Sequence, residues 1–556
     1  MALSERIEIG RGERPAALVI KGVSVFHLTT GEFEEADIAI ASDGVIAGVG
    51  QGYDGMREID GHGLTAVPGF IDAHVHIESS LMMPSEYEKC VLMHGVTTCI
   101  CDPHELANVV GTDAFDFYMN ASKALTMDMR VRLSSCVPAT NLETSGAVVT
   151  ADELSKWHGR HPEAGLAEFM NVPGVLFRDK EVLAKLSAFD FIDGHCPLLS
   201  GRDLNAYIAA GIRNCHESSI LEEAREKIRR GMQVFIREGS AARNLDALMP
   251  LMTLENSPFL AFCTDDRNPL DMEEHGHIDR MVARAIAGGV SPLVAYRVAS
   301  WSAARGLGLA DRGLIAPGQR ADIVLLDDFE KCSVRKTIVD GIPFDEIHYD
   351  VNALPDASSF KDSVKCREVS ASDFTFDASG RVRVIGVADG SLVTDALELD
   401  VASDDVLHVS VVERHGKNGN ISHGFVRGFG LKNGAIASSV GHDSHNICVV
   451  GTNAADMACA VNALRESQGG FAAVCDGRVT GLLPLPCAGL FSDKSADEIK
   501  RDLRKLRESV RALGCVLHEP FLQLAFIPLP VIPHLKLTDC GLVDVDRFSF
   551  VSPSLN

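Results

Sequence analysis

The chain has 556 residues, of which 46% are hydrophobic and 23% are charged, and its formal net charge at pH 7 is -25. This length suits roughly three or four domains of about 150 residues each, and a strongly acidic surface argues against a nucleic-acid polymer as partner. The first twenty residues carry no apolar signal-peptide core, and no run approaches the roughly 18 apolar residues of a membrane span. We therefore expect a cytoplasmic protein with no membrane contact, whose fifteen cysteines are reduced, mostly buried thiols.

Residues 1–66 are predicted to be all-β. Short β-branched runs at 17–20 and 23–26 and a Ser42-Asp43-Gly44 turn signal are typical of strands and hairpins. A Gly50-x-Gly52-x-x-Gly55 match is also present, but no helix with an apolar stripe follows it. We interpret this match as a turn rather than a nucleotide-binding loop.

Residues 67–316 alternate short apolar runs with longer helical segments, which indicates βα units around a parallel sheet. The candidate strands are 69–74, 97–101, 131–136, 165–168, 191–194, 211–215, 233–237 and 259–264. Eight strands in a region of this length favour a (β/α)₈ barrel of the TIM type.

The β texture returns after residue 316, at 321–326 and 337–339. We predict that 317–370 joins 1–66 in one small β domain that flanks the barrel of residues 67–316. Residues 371–556 are predicted to form a C-terminal α/β domain, with helices over 455–464 and after the capping-box signal Ser495-x-x-Glu498.

Possible metal ligands follow the predicted barrel strands at their C-terminal ends, where functional groups of such barrels collect. His74 and His76 are two residues apart, so their side chains point to the same side of the first strand. Further donors follow the fourth, fifth, sixth and eighth strands. The complete set is His74, His76, Glu168, His195, His216 and Asp265. Four imidazoles and two carboxylates suit two divalent ions that share a bridging carboxylate, and nitrogen and oxygen donors without thiolate suit Mn²⁺, Fe²⁺ or Zn²⁺.

The sequence resembles the amidohydrolase superfamily over roughly residues 1–340. The motifs that carry this resemblance are Pro68-Gly69-Phe70-Ile71-Asp72-x-His74-x-His76 and Gly318-x-x-Ala321-Asp322-Ile323-Val324. Within the superfamily it is most similar to the bacterial adenine deaminases. The closer motifs are His76-Ile77-Glu78-Ser79-Ser80, Asp102-Pro103-His104-Glu105-x-x-Asn108-Val109 and Val440-Gly441-His442-Asp443-Ser444-His445-Asn446. The last motif lies in a region that most amidohydrolases lack, so the resemblance spans nearly the whole chain.

The resemblance implies hydrolysis of adenine to hypoxanthine and ammonia, a reaction of purine salvage, at a binuclear manganese or iron(II) site. Many amidohydrolases bridge their metals with a carboxylated lysine on the fourth strand, whereas this chain has Glu168 at the matching position. That departure weighs against dihydroorotase-like or hydantoinase-like activity. We expect a small purine base as the partner and a homo-oligomer as the assembly.

Two acidic residues are the predicted catalytic groups. Two metals lower the pKa of a water molecule toward neutrality, and Asp265 is expected to take a proton from that water as it attacks purine C6. Glu238, at the end of the seventh strand, is the candidate that protonates N1. The alternative for Glu238 is an ordinary ion pair with Arg237 or Arg243.

Two further motifs leave alternatives open. Asp102, His104 and Glu105 follow the second strand and are predicted to bind substrate, with a helix N-terminus stabilised by its acids as the alternative. The pair His442-x-x-His445 forms a third metal site, together with His415, or a polar turn, or a segment that closes over the active site.

Two rival functions stand beside adenine deamination. One is a deacetylase of a phosphorylated N-acetyl amino sugar, a class of enzyme that also uses a glutamate on a strand. Binding the phosphate of such a sugar requires clustered basic residues, whereas the sequence shows only isolated arginines there. The other is a non-catalytic scaffold with the same fold. Such scaffolds typically lose metal ligands, whereas all six positions are filled here.

Overall fold

The N-terminal part of the chain combines a helix with a β-sheet. A computed structural model describes residues 2–240, 242–350, 352–376 and 378–555. The first elements are α1 (Ala2–Gly10), β1 (Leu18–Phe26), β2 (Phe33–Ile40), β3 (Ile46–Gly50), β4 (Glu58–Asp60) and β5 (Thr65–Pro68). The prediction that residues 1–66 are all-β is therefore wrong at α1. Ile9 is the one buried residue of this helix, so no apolar stripe in the sequence marks it.

The central region alternates strands and helices. Its elements are β6 (Phe70–Val75), α2 (Pro84–Leu92), β7 (Val96–Cys101), α3 (His104–Val110), α4 (Asp113–Ala124), β8 (Asp128–Val131), α5 (Ala151–Arg160), β9 (Leu166–Phe169), α6 (Val172–Leu176), α7 (Lys180–Ser187), β10 (Ile192–Gly194), α8 (Gly201–Ala209), β11 (Asn214–Cys215), α9 (Leu221–Arg229), β12 (Gln233–Arg237), α10 (Leu245–Leu248), β13 (Leu260–Cys263), α11 (Pro269–His275), α12 (Ile278–Ala287), α13 (Pro292–Ala299) and α14 (Trp301–Gly306). Strands β6, β7, β12 and β13 are buried along their whole length, as expected for parallel strands covered on both faces.

The parallel strands of the central region pair in a closed ring. Three parallel sheets, β6–β7–β8, β9–β10 and β11–β12–β13, account for eight strands among the described residues. Single parallel bridges join these sheets. The bridged pairs are Leu133 with Leu166, Ile192 with Ile212, and Val75 with Asp265. The pairing therefore passes from strand to strand and returns to β6, which brings all the C-terminal strand ends to one rim.

The third strand of the ring lies earlier than predicted. The sequence indicated 131–136, whereas β8 covers Asp128–Val131. The register explains the shift, because Val131 pairs with Cys101, the last residue of β7. Beyond Val131 the chain no longer pairs with β7, and Leu133 bridges to Leu166 of β9 instead.

The chain returns to the N-terminal sheet after the central region. The returning strands are β14 (Ile323–Asp328), β15 (Ser333–Val339) and β16 (Ile342–Pro343). The sheet has the order β16–β15–β14–β5–β1–β2–β3, with β4 paired to β1. β14 runs antiparallel to β5, with Ile323 opposite Pro68. Both flanks of the central region thus share one sheet.

The C-terminal region has its own mixed α/β structure. Its elements are β17 (Arg381–Gly386), β18 (Asp395–Asp400), β19 (Leu407–Val412), β20 (Ile421–Arg427), β21 (Ala435–Ser438), β22 (Ile447–Gly451), α15 (Ala454–Glu466), β23 (Gly470–Cys475), β24 (Arg478–Pro484), α16 (Ala496–Ala512), α17 (Pro520–Ala525), β25 (Leu535–Thr538), β26 (Gly541–Asp544) and β27 (Ser549–Phe550). Short 3₁₀ helices cover Ile77–Ser80, Met249–Leu251, Ser257–Phe259, Phe344–Glu346, Ser358–Phe360, Ala371–Phe374 and Val545–Arg547. The capping box predicted at Ser495 and Glu498 is present at the start of α16.

The C-terminal region packs directly on the ring. One hydrophobic core includes residues of both, and hydrogen bonds cross between them. The backbone N–H of Ala496 donates to Glu86 Oε2 at 3.0 Å, and the amide of Asn446 donates to the Thr144 carbonyl at 2.8 Å. This contact lays the segment around residue 442 over the rim where the parallel strands end.

The fifteen cysteines are all free thiols, and most of them are buried. Cys99 and Cys101 lie in the fully buried strand β7, so this pair consists of core residues. No helix in the described ranges is long and apolar enough to cross a membrane.

Candidate active site

The six predicted metal ligands meet at the rim of the parallel ring. They lie in or just after the strands β6, β9, β10, β11 and β13, and their exposed fractions run from 1% for His216 to 6% for His195. The cluster contains His74, His76, Glu168, His195, His216 and Asp265. Six ionisable side chains buried together require strong mutual compensation or bound cations.

Glu168 lies between two groups of imidazoles. Its Oε1 atom is 3.3 Å from His76 Nε2 and 3.6 Å from His74 Nε2. Its Oε2 atom is 2.7 Å from His195 Nδ1 and 3.3 Å from His216 Nε2. One carboxylate therefore serves both halves of the cluster, which is the geometry required of a bridging ligand.

Asp265 completes the half that contains the first two histidines. Its Oδ1 atom is 3.1 Å from His76 Nε2 and 3.4 Å from His74 Nε2, and its backbone has a positive φ of 57°. A non-glycine residue in this region is strained, and such strain concentrates at functional sites. His76 Nδ1 lies 3.0 Å from the Asp102 carbonyl, so it carries a proton there. The Nε2 atom of His76 then presents a lone pair to the cluster, as in histidines that ligate metals.

The charges of the cluster favour bound cations. Burial opposes protonation of His74, but Asp265 and Glu168 raise its pKa to about 10. Burial also opposes ionisation of Glu168, yet His195 and His216 hold the pKa of its carboxyl well below the usual range. The two buried carboxylates therefore require positive charge between them, and divalent cations supply it in a form that also suits neutral imidazoles.

The donor atoms fit a pair of divalent metal ions. Ligand atoms of His74, His216 and Asp265 lie within 4.8 Å of one another, and so do those of Glu168, His195 and His216. His195 Nε2 is buried without a hydrogen-bond partner. All these donors are nitrogen or oxygen, which suits manganese, iron(II) or zinc.

Arg237 connects the cluster to a glutamate that the sequence analysis missed. The Arg237 guanidinium donates to Asp265 Oδ2 at 2.6 Å and to both carboxylate oxygens of Glu217, at 3.1 Å for Oε2. Glu217 lies 3.4 Å from His216 Nε2 and lines the cavity over the cluster. Burial opposes its ionisation, but Arg237 and His195 lower the pKa of Glu217. Its position directly after His216 is the sequence signal that could have identified Glu217.

The structure does not bring Glu238 to this cavity. Its carboxylate pairs with Arg284 and accepts the backbone N–H of Leu245 at 3.1 Å. Among the described residues, Glu238 lines a different pocket, together with Arg243. The alternative of an ion pair was closer to the observed geometry, but the partner is Arg284 rather than Arg237 or Arg243.

Asp102, His104 and Glu105 lie beside the cluster with different roles in the geometry. His104 lines the cavity, and its Nδ1 atom is 3.1 Å from Asp102 Oδ2 and 3.4 Å from Glu168 Oε1. Asp102 Oδ1 accepts the backbone N–H of His104 at 3.1 Å. Asp102 therefore orients His104, and Glu105 faces away from the metal ligands toward the C-terminal region.

Glu105 is buried between two histidines of the C-terminal region. Its carboxylate contacts His442 Nδ1 and His445 Nε2. His445 Nδ1 accepts the backbone N–H of Gly441 at 3.2 Å, so its proton is on Nε2 and points at Glu105. His445 is thus placed as a hydrogen-bond donor. His415 is not part of this group, because its Nε2 donates to the Ser444 carbonyl at 2.7 Å.

The cavity over the cluster is roofed by apolar side chains. His442 lies in its wall and stacks on Phe526, with ring centroids 4.4 Å apart, and Asp266 and Asp443 also line it. The apolar lining consists of Met170, Leu392, Phe526, Leu529 and Ile532. The volume of about 20 Å³ holds no more than a water molecule, so a larger ligand enters only when the roof moves.

Two family models match the chain. The amidohydrolase family matches residues 65–343, and the adenine deaminase C-terminal domain matches residues 383–549. The first match covers the ring and its ligands, and the second covers the region that supplies His442 and the roof.

Curated relatives match along their whole length. An adenine deaminase of Gluconobacter oxydans strain 621H is 53% identical, with 99% of each chain covered. One of Brucella anthropi is also 53% identical, over 99% of this chain and all of the relative, and an adenine deaminase 1 of Rhizobium etli is 51% identical over 99% of both. The chain therefore belongs to the adenine deaminase family of the amidohydrolases.

Proposed function

We propose that this protein hydrolyses adenine to hypoxanthine and ammonia at a pair of divalent cations. Full-length relatives named adenine deaminase support the reaction. The observation that carries the site is the position of Glu168, whose two oxygens face separate pairs of imidazoles. Mn²⁺ and Fe²⁺ are the proposed ions, with Zn²⁺ as the third candidate, because the donors are imidazoles and carboxylates.

The closed ring of parallel strands supports a (β/α)₈ barrel as the scaffold of this site. In such barrels the functional groups lie at the C-terminal strand ends, where the six ligands lie. We propose the barrel as residues 67–316, the small β domain as 1–66 with 317–370, and the C-terminal domain as 371–556. The assembly is proposed to be a homo-oligomer, which light scattering of the purified protein tests.

The metal ligands are proposed as His74, His76, Glu168, His195, His216 and Asp265. When bound, two divalent cations lower the pKa of a water molecule toward neutrality and so make a nucleophile available at pH 7. Asp265 holds its Oδ1 atom toward His74 and His76 and its Oδ2 atom toward Arg237. This placement lets Asp265 take a proton from the attacking water.

Glu217 replaces Glu238 as the proposed acid that serves purine N1. It lines the cavity, and Arg237 holds it and Asp265 in a fixed relation. The attacking water carries two protons. Glu217, which the neighbouring Arg237 keeps ionised, takes one of them and passes it to N1 as the water oxygen bonds to C6. Asp265 takes the other and delivers it to the amino group, which leaves as ammonia when the C6–N bond breaks and the C6 carbonyl forms. Adenine and water then give hypoxanthine and ammonia without another reactant.

The C-terminal domain is proposed to close over the purine. Leu392, Phe526, Leu529 and Ile532 supply the apolar roof, which excludes water from the reacting atoms. The Glu105–His442 contact ties this roof to the barrel.

The test is ammonia release from a panel of adenine, adenosine, cytosine, guanine and an N-acetyl amino sugar. The protein is prepared with manganese and kept from iron. We expect release from adenine, and its absence under these conditions would refute the proposal. Acetate release from the sugar is the outcome that favours a deacetylase, which the full-length relatives do not support.

A further inference from the structure

A second pocket lies at the rim of the ring, apart from the metal cluster. It is formed by the segments that follow β12 and β13 and by the first turns of α12, and its volume is about 140 Å³. Four arginines and one carboxylate line it. The chain as a whole has a net charge of -25, so a basic pocket is a local reversal of charge.

Arg267 is a buried cation at the floor of this pocket. Its side chain donates to the carbonyls of Glu238, Asp271 and Gly276, at 3.3 Å for Asp271 and 2.6 Å for Gly276. Arg267 is only 4% exposed, and its Nε atom has no hydrogen-bond partner. Within the described ranges no carboxylate lies within ion-pair distance of Arg267. A buried guanidinium without a direct ion-pair partner is costly, and a bound anion offsets that cost.

His277 gives an independent sign of a missing partner. It is 1% exposed and lines the same pocket, yet neither ring nitrogen has a hydrogen-bond partner. The nearest carboxylate oxygen, Asp72 Oδ2, is 3.6 Å from Nε2, which is beyond hydrogen-bonding distance. Burial and the nearby Arg267 lower the pKa of His277, so it is a neutral imidazole with one N–H to donate.

Three exposed arginines form the rim of the pocket. Arg284 is the most compensated, because it pairs with Glu238 and with Asp246 at 2.8 Å. Arg243 lies 3.4 Å from Asp271 Oδ2. Arg280 has no carboxylate within ion-pair distance in the part of the chain that the structure describes. Among the described residues, Arg280 is therefore the rim cation that lacks an ion-pair partner, above the unpaired Arg267 at the floor.

The position of the pocket also favours an anion. His277 is the N-cap of α12, a helix of ten residues, and the N-terminus of a helix carries partial positive charge. In barrels of parallel strands, phosphate sites recur at the segments after the seventh and eighth strands, next to a helix N-terminus. The volume is close to the roughly 150 Å³ of an engineered cavity that binds benzene, so one tetrahedral oxyanion fits.

We propose that this pocket binds a phosphoryl group, either as inorganic phosphate or as the phosphate of a nucleotide. Arg267 and His277 donate to it from the floor, and Arg243 and Arg280 close around it from the rim. Guanidinium groups match phosphate oxygens in pairs. The open rim leaves room for the remainder of a nucleotide outside the pocket. This inference uses no step of the deamination.

Calorimetric titration of the manganese-loaded protein, freed of excess metal, tests the inference with inorganic phosphate and with AMP as separate arms. The variant is Arg243→Gln with Arg280→Gln, since both side chains are exposed and their loss spares the core. The matched control is Arg335→Gln, an exposed arginine on β15. A hydrogen bond to a charged group contributes about 1.5–3 kcal/mol, which corresponds to about a tenfold to hundredfold change in Kd.

We expect one phosphate per chain, with a Kd raised at least tenfold in the double variant and unchanged in the control. If the Kd values for phosphate and for AMP rise equally in the double variant, the site recognises the phosphoryl group alone. If wild-type protein binds AMP more tightly than phosphate, the phosphoryl group belongs to a nucleotide. Binding that the double variant leaves unchanged is binding at the metal centre and overturns the inference. No heat from either ligand at 10 mM overturns it as well. Adenine turnover of the double variant without phosphate stays at the wild-type value.

Discussion

Replacing Glu217 by glutamine tests which glutamate serves the purine ring. Glutamine has the shape of glutamate and still accepts a hydrogen bond from Arg237 through its amide oxygen. Arg237 also keeps its 2.6 Å contact with Asp265 Oδ2, so the metal ligands stay in place. The amide cannot pass a proton, and the substitution removes that one ability.

The expected loss follows from the role of a proton carrier. General acid–base catalysis by a positioned side chain contributes about 10²–10⁴ in rate, which corresponds to about 3–5 kcal/mol of activation free energy. We therefore expect kcat for adenine to fall by at least a hundredfold in Glu217→Gln. KM should change by less than about tenfold, because the roof over the cavity is untouched.

The assay is steady-state ammonia release with the manganese-loaded enzyme, and the metal content of each preparation is measured alongside. Glu238→Gln is the matched control. Glu238 also follows a strand of the ring, but it pairs with Arg284 outside the cavity. We expect Glu238→Gln to retain kcat within about threefold of the wild type and both variants to hold two metals per chain.

Near-normal kcat in Glu217→Gln together with a large loss in Glu238→Gln would refute the reasoning. It would restore Glu238 as the group that protonates N1 and would show that the cavity changes shape on substrate binding. A loss of metal from Glu217→Gln would instead assign this glutamate to the metal site.

Three further predictions concern the cluster, the C-terminal region and a buried lysine. Glu168→Gln removes the carboxylate shared by both halves of the cluster, so the metal content should fall from two to one or fewer ions per chain by elemental analysis. His442→Asn removes the imidazole that contacts Glu105 and should raise KM for adenine by about tenfold with two metals retained. His423→Asn is the control outside the cavity and should leave KM unchanged. A fall in metal content from three ions per chain to two in His442→Asn would reveal a third metal at His442. Burial lowers the pKa of Lys536 to about 7, below its value in the unfolded chain. Between about pH 7 and 10 the unfolded state therefore binds one more proton than the folded state, and the stability of the folded state rises with pH. Lys536→Met should therefore raise the free energy of unfolding most near pH 7, by about a few kcal/mol less the contribution of the two lost hydrogen bonds. The accompanying rise in Tm should vanish by pH 10, and a difference in Tm that does not depend on pH contradicts the assignment.

The clustering of the six proposed ligands was predictable because their chemistry and their position in the sequence agree. Parallel strands show in the sequence as short β-branched runs, and their C-terminal ends meet at one rim whatever the exact strand bounds. The predicted bounds of β8 were wrong, because the strand covers Asp128–Val131. This error did not affect the predicted cluster, since no proposed ligand follows that strand. His74 and His76 needed only the spacing of two residues.

The choice between Glu217 and Glu238 depends on side-chain direction, which strand ends leave undetermined. Arg237 is the last residue of β12 and points into the ring, where it meets Asp265. The backbone N–H of Glu238 still bonds to the Cys263 carbonyl at 3.1 Å, so the alternation of the strand continues to Glu238 and its side chain points to the opposite side. Strand β11 ends at Cys215, and the chain beyond it no longer alternates. Glu217 is therefore free to face the cavity beside His216.

The contribution of the C-terminal region to the site was visible in the sequence only as the motif His442-x-x-His445, for which several interpretations were open. His442 and His445 reach Glu105 across most of the chain, and no local pattern encodes such a contact. The register of the C-terminal sheet and its packing on the ring decide it. The helix α1 was missed for a local reason, because Ile9 is its one buried residue and its sequence therefore lacks an apolar stripe.

The burial of Glu105 explains why the metal ligands alone do not make this active site. The carboxylate of Glu105 is 1% exposed, and burial raises its pKa while His442 and His445 lower it. A buried carboxylate without those partners is costly. A ring of strands without the C-terminal region would expose Glu105 to water and leave the cavity without its roof of Leu392 and Phe526. The ring supplies the proposed metal ligands, and the C-terminal region supplies the apolar lining that suits the flat aromatic face of a purine. We therefore expect selectivity for adenine to depend on the fit between the two regions rather than on the proposed metal ligands.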